Sequence, residues 1–150
     1  MVKVKYGTQE FVDAYRDALN KNENYKDAAA DWEGDFLWVA TPNGPLKEEQ
    51  RMWIGLYHGK CTGCKVLNPK DKVKLLKPGE KKSGEGYEVE YIYTTDYETW
   101  KKITLGEADS IRMILSGKAK LEGNMAKVLK YTRAATELTV SAQNLDIEWL

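Results

Sequence analysis

Hydrophobic positions along the chain alternate between helical and strand-like spacing. Phe11, Ala14, Tyr15, Ala18 and Leu19 fall on one helical face, and Thr8 stands where it can cap the first turn. Residues 25–31, with Ala28, Ala29 and Ala30, predict a second short helix that Gly34 stops. The spacing then shortens. Residues 36–40, 52–57 and 61–67 read as strands; the first ends in the turn cluster of residues 41–45, and His58, Gly59 and Lys60 form a hairpin turn between the other two. Residues 87–93 alternate most regularly, with Tyr87, Val89, Tyr91 and Tyr93 on one side and Glu88 and Glu90 on the other. Such a sheet is expected to have one buried and one wet face.

Residues 68–86 interleave Lys70, Lys72, Lys74, Lys77, Lys81 and Lys82 with Pro78, Gly79 and Gly84, which predicts an exposed loop. Val73, Leu75 and Leu76 add an irregular edge strand to it. Helical spacing returns beyond Tyr93. Thr95 and Glu98 form a capping-box pattern ahead of Tyr97, Trp100 and Ile103, and Gly106 breaks that helix. Ala108, Ile111, Ile114 and Leu115 stripe the next helix. Residues 118–122 alternate as a short strand, and Gly123 and Asn124 open a long last helix carrying Met125, Val128, Leu129, Thr132 and Ala135 on one face. No repeat or linker interrupts the order, so one domain over residues 1–150 is expected, of the α+β class.

Composition narrows the function more than the fold. At 150 residues the chain is long enough for a core without disulfides or metals. Its 23 basic and 23 acidic side chains cancel, which gives no long-range attraction to nucleic acid. No apolar run is long enough to span a bilayer, and a cytoplasmic location with reduced cysteines is expected. Five Trp and nine Tyr against two Phe favour walls that combine an apolar body with a polar tip.

Candidate chemistry is sparse. His58, Cys61 and Cys64 are the one cluster with metal-binding or dithiol potential, but a structural zinc site needs a fourth ligand and the chain has no other His or Cys. Strand alternation sends Cys61 and Cys64 to opposite sides unless a bulge intervenes. Glu88 and Glu90, like Glu48 and Glu49, read as solvated carboxylates rather than a catalytic pair. No serine lies in a nucleophile-elbow context and no glycine loop has phosphate-binding spacing. These patterns point away from an enzyme and call for no cofactor.

The stretch Gly117-Lys118-Ala119-Lys120-Leu121-Glu122-Gly123-Asn124-Met125 resembles the sterol carrier protein 2 family, in which a last strand hands over to a C-terminal helix. Residues 96–103 and 106–109 match the family's preceding pair of short helices, and residues 53–60 match its hairpin loosely. The resemblance implies a mostly antiparallel five-stranded sheet covered on one face by about five helices, with an apolar tunnel between the layers. It implies non-catalytic binding and transfer or presentation of a fatty acid, fatty acyl-CoA, phospholipid or sterol-like lipid. The expected partners are that ligand and, transiently, a membrane or a lipid-metabolic enzyme, with the protein a monomer or weak dimer. Facing direction then nominates the lining: Trp53, Val89 and Tyr91 from the sheet, Trp100, Ile103, Ile111, Ile114 and Leu115 from the covering helices, and Met125, Val128 and Leu129 from the last helix. Two other readings stand beside this one: a redox or metal-binding protein using Cys61 and Cys64 with His58, and an interaction subunit of a lipid-metabolic enzyme.

Overall fold

The computed structural model describes residues 3–150. Strand β1 (Lys3–Lys5) leads into helix α1 (Gln9–Lys21), where the Thr8 hydroxyl accepts from the Phe11 amide at 3.2 Å as the cap pattern requires. Helix α2 (Glu23–Ala28) follows, capped by the Asn22 side chain. Strands β2 (Phe36–Thr41), β3 (Gln50–Tyr57) and β4 (Lys60–Leu67) come next, then the short β5 (Val73–Leu75) and β6 (Tyr87–Val89). Strand β7 (Tyr91–Asp96) runs directly into helix α3 (Tyr97–Thr104), followed by α4 (Ser110–Leu115), β8 (Lys120–Glu122), α5 (Met125–Leu129), α6 (Thr132–Gln143) and β9 (Asp146–Glu148).

The main sheet has the order β4-β3-β2-β7-β8, antiparallel except where β2 lies parallel to β7. It is thus the mostly antiparallel five-stranded sheet of an α+β fold, with six helices among the described residues. Phe36, Trp38, Met52, Ile54 and Tyr93 face the helices. Leu37, Val39 and Leu67 face the other way.

Several expectations change. The second face is not a wholly wet one: β5 and β6 pair parallel and lay Val73, Leu75, Tyr87 and Val89 over its middle, while Lys65 and Lys120 stay exposed on the edge strands. Residues 87–93 are consequently two strands, not one. The chain crosses the sheet edge at Glu90, where the amides of Glu90 and Tyr91 both donate to the Asp35 carbonyl at 3.2 Å. Tyr87 and Val89 end on one side of the sheet, Tyr91 and Tyr93 on the other. Nor are Glu88 and Glu90 a solvated face. Glu88 accepts from the Ser83 and Gly84 amides, Glu90 accepts from the Asp35 amide at 2.6 Å, and Lys82 donates to Asp35 at 2.6 Å. These contacts fold the lysine-rich segment back onto the sheet.

The predicted last helix breaks into α5 and α6 at Lys130 and Tyr131. Asp96 rather than Thr95 caps α3; the Thr95 hydroxyl donates instead to the Lys118 carbonyl and holds β8 against β7. The hairpin at His58 and Gly59 forms as expected, both residues taking positive φ in a two-residue turn. At Gly123, φ is 130° and a Cβ would meet the Glu90 carbonyl at 2.6 Å, so only glycine fits between β8 and α5.

Candidate functional site

Between the sheet and α6 lies a cavity of about 80 Å³. Its floor is aromatic. Trp38 and Trp100 meet at 5.6 Å between ring centres, Tyr93 and Trp100 at 5.1 Å, and Tyr15 and Trp38 at 5.4 Å. The Trp100 indole donates to the Val39 carbonyl at 2.8 Å, which fixes the ring on the sheet. Ile111 and Ile114 close one side, and Ala135, Leu138 and Ala142 of α6 form the roof.

The polar atoms of this wall are mostly already satisfied. The Tyr15 hydroxyl donates to the Leu138 carbonyl and the Tyr93 hydroxyl to the Ser110 carbonyl, each at 2.7 Å. Burial holds both phenols well above their ordinary range, so both stay neutral donors. The Tyr6 hydroxyl, also in the wall, is buried and has no hydrogen-bond partner among the described residues. Burial raises its pKa too.

Two further spaces adjoin the cavity. One of about 30 Å³ shares Phe36, Val128, Ala135 and Leu138 with it and extends toward Tyr25 and Trp32. The other, of about 510 Å³, lies between the segment around α4 and α6 and shares Ser110, Ile111 and Thr139 with it. The two outer spaces share lining residues with the cavity and none with each other.

Of the residues nominated from sequence, the structure brings Trp100, Ile103, Ile111, Ile114 and Val128 together around the cavity. It does not bring the others there. Val89 is fully buried on the opposite face, and Trp53 lies on that face over Gly55 and Gly63, 5.8 Å from the Tyr87 ring. Tyr91 is on the helix side but stacks on Phe36 at 5.0 Å beside Trp32. Burial pushes its phenol up to about 12. Leu115 and Leu129 point to solvent, 70% and 43% exposed, and Met125 is not in the wall. The α6 residues Ala135, Leu138, Thr139 and Ala142 are in the wall without having been nominated, because Ala and Thr contribute little to an apolar stripe. Their spacing of three and four positions is the signal that marks the helix face.

The cysteines follow a separate logic. A bulge sets Leu56 opposite Cys61 and Gly55 opposite Gly63, leaving Thr62 as an extra residue. Cys61 and Cys64 therefore share the side under α1, contrary to simple alternation. The Cys64 thiol donates to the Val12 carbonyl at 3.0 Å, and hydrogen bonding between the two thiols lowers Cys61 and raises Cys64. His58 is elsewhere, exposed at the hairpin tip and 2.7 Å from Glu33. No metal-binding group of three such side chains forms among the described residues. Among those residues no helix is long and apolar enough to cross a membrane.

Similar folds are known. A crystal structure of sterol carrier protein 2 superposes with a TM-score of 0.75 at 24% identity, covering 93% of this chain and 98% of that one. A solution structure of a conserved hypothetical protein from Thermus thermophilus gives the same score and identity over 95% of this chain and 90% of its own. The apo form of sterol carrier protein 2 from Yarrowia lipolytica is more distant, with a TM-score of 0.52 at 18% identity over 92% of both chains. No curated protein sequence matches this one. The SCP-2 sterol transfer family matches residues 46–136, which include four strands of the main sheet, the aromatic floor at Tyr93 and Trp100, and the start of the roof, and the chain belongs to that family.

Proposed function

We propose that this protein is a non-catalytic carrier that binds one single-chain lipid and transfers it or presents it to a partner. The observation that supports the reading is the apolar cavity at the centre of a row of three spaces under α6. A lipid needs a concave apolar volume and no reactive group, and family membership favours that use. Burying an acyl chain contributes about 0.8 kcal/mol per methylene, so chain length alone supplies the affinity.

At about 80 Å³ the cavity lies below the roughly 300–1,000 Å³ of pockets that take drug-sized ligands. The ligand therefore enters by moving partitions. Phe36, Val128 and Leu138 swing to join the cavity to the space of about 30 Å³, Ile111 and Thr139 give way toward the space of about 510 Å³, or α6 lifts, and the result is an apolar tunnel with a polar end. The carrier works in an aqueous compartment, taken here as the cytoplasm, and meets a membrane or enzyme only to load and unload.

Native mass spectrometry of the purified protein, followed by titration with a fluorescent fatty-acyl probe, tests the reading. A co-purifying lipid or saturable probe binding is expected, and Ile114→Trp, which fills the cavity wall, is expected to weaken the probe at least about tenfold. A lipid-free protein that takes up no acyl or sterol probe would end the carrier reading.

A further inference from the structure

The space of about 510 Å³ beside the apolar cavity is polar, and it is reached past Ser110, Ile111 and Thr139. Thr136 donates its hydroxyl proton to the Thr132 carbonyl at 3.1 Å, and Thr139 donates to the Thr136 carbonyl at 2.8 Å. What these hydroxyls present to the space is therefore their lone pairs. Glu107 adds two carboxylate oxygens. Asp109 uses one oxygen to cap α4, accepting from the Ile111 and Arg112 amides at 2.9 Å, and keeps the other. Side-chain donors line it too: Arg112, the amide of Gln143, and the hydroxyls of Ser110 and Thr132. Among the described residues neither Glu107 nor Arg112 is in an ion pair.

Such a wall carries two carboxylates against one guanidinium and is rich in acceptors. A carboxylate or phosphate head can pair with Arg112 but brings its negative charge against both Glu107 and Asp109, which leave the wall one negative charge in excess and oppose it. A head with hydroxyl donors and one carbonyl acceptor matches the wall, with the hydroxyls turned to Glu107 and Thr136 and the carbonyl to Arg112 or Gln143.

Resting on the carrier reading, we infer that this space is the head-group site and that the ligand is an uncharged, hydroxylated single-chain lipid of the monoacylglycerol class. Its acyl chain lies under α6 and its glycerol head lies between α4 and α6.

The test is displacement of a fluorescent acyl probe from the full chain by 1-palmitoylglycerol and by palmitate at neutral pH, each below its aggregation limit. The glycerol ester is expected to bind at least about tenfold tighter, the size of one or two hydrogen bonds gained against a repelled charge. Glu107→Lys, at an exposed position that leaves the core intact, is expected to cut that ratio about tenfold, mainly by tightening palmitate. Thr136→Val is expected to weaken the ester and leave palmitate unchanged. Equal or tighter palmitate binding by the unaltered protein, or a ratio that ignores both substitutions, overturns the head-group assignment and leaves the carrier reading standing. Failure of both lipids to displace a bound probe overturns the assignment alone, whereas failure of the probe and both lipids to bind overturns both.

Discussion

Each face of the main sheet buries an apolar patch under a cover, yet the cavity lies on one of them. The second face is closed by β5 and β6, whose Val73, Leu75 and Val89 lie directly on Leu37, Val39 and Leu67. Short strands with branched side chains fit a pleated surface closely, and they leave Val89 fully buried. The first face is roofed by α6, where Ala135, Thr139 and Ala142 are too small to reach Trp38 and Trp100. A filled face is worth stability, and a roofed face with small residues gives up packing to keep volume. The cover, not the sheet, decides which.

Equal insults to the two faces break the comparison most sharply. Val89→Phe forces extra volume into the filled side and is expected to cost about 3 kcal/mol, seen as a fall in Tm of about 10 °C by calorimetry. Ala135→Leu adds methyl groups beneath the roof; stability is expected to change by less than about 1 kcal/mol while acyl-probe affinity falls at least about tenfold. If both variants melted alike, the two faces would not differ in packing.

A smaller effect concerns how the β5–β6 cover is held down. The Ser83 and Gly84 amides donate to Glu88 and hold its carboxyl below the usual carboxylate range. A group with a depressed folded-state pKa stabilises fully above its unfolded value, near 4.3, and the contribution is lost as pH falls through the folded value. Acidification below about pH 4 is thus expected to loosen this loop before the helical side, measured as earlier amide exchange at Ser83 and Gly84 than at α1. Glu88→Gln is expected to remove that pH dependence. The smallest effect is at Tyr6, whose hydroxyl has no partner among the described residues. Tyr6→Phe is expected to leave the melting temperature unchanged or slightly raised, since no hydrogen bond is lost.

The same contrast explains what can be seen in the sequence. Helical facing is set mostly by local spacing, so Trp100, Ile103, Ile111, Ile114 and Val128 fall into one group without knowledge of the sheet, while Leu115, Met125 and Leu129, chosen by the same spacing, lie outside it. The asparagine at 124 is equally legible, because the cap of α5 is a local demand, whereas the tight approach of Gly123 to Glu90 is a tertiary one. Strand facing fails where the partner decides it. Nothing in the alternation of residues 87–93 shows that the chain crosses an edge at Glu90, and no spacing within residues 61–64 reveals a bulge whose register is set by β3. Trp53 and Val89 belong at the cavity only if the sheet has one apolar face, and it has two. The α6 wall is hard to read for the opposite reason. A helix that must leave room is built from Ala and Thr, and so makes an inconspicuous hydrophobic stripe.

Strand β1 pairs in parallel with β9, Lys3 with Asp146 and Lys5 with Glu148, and that pairing has a kinetic consequence. It joins segments at opposite ends of the described chain, so its loop-closure entropy is among the largest in the fold, and the Tyr6–Trp149 stack at 5.1 Å and the hydrogen bond from the Tyr6 amide to the Glu148 carbonyl at 2.9 Å help to offset it. Strand β9 follows directly on α6. The roof is thus tethered at its C-terminal end by a contact that closes the longest loop in the described chain and is expected to form late in folding.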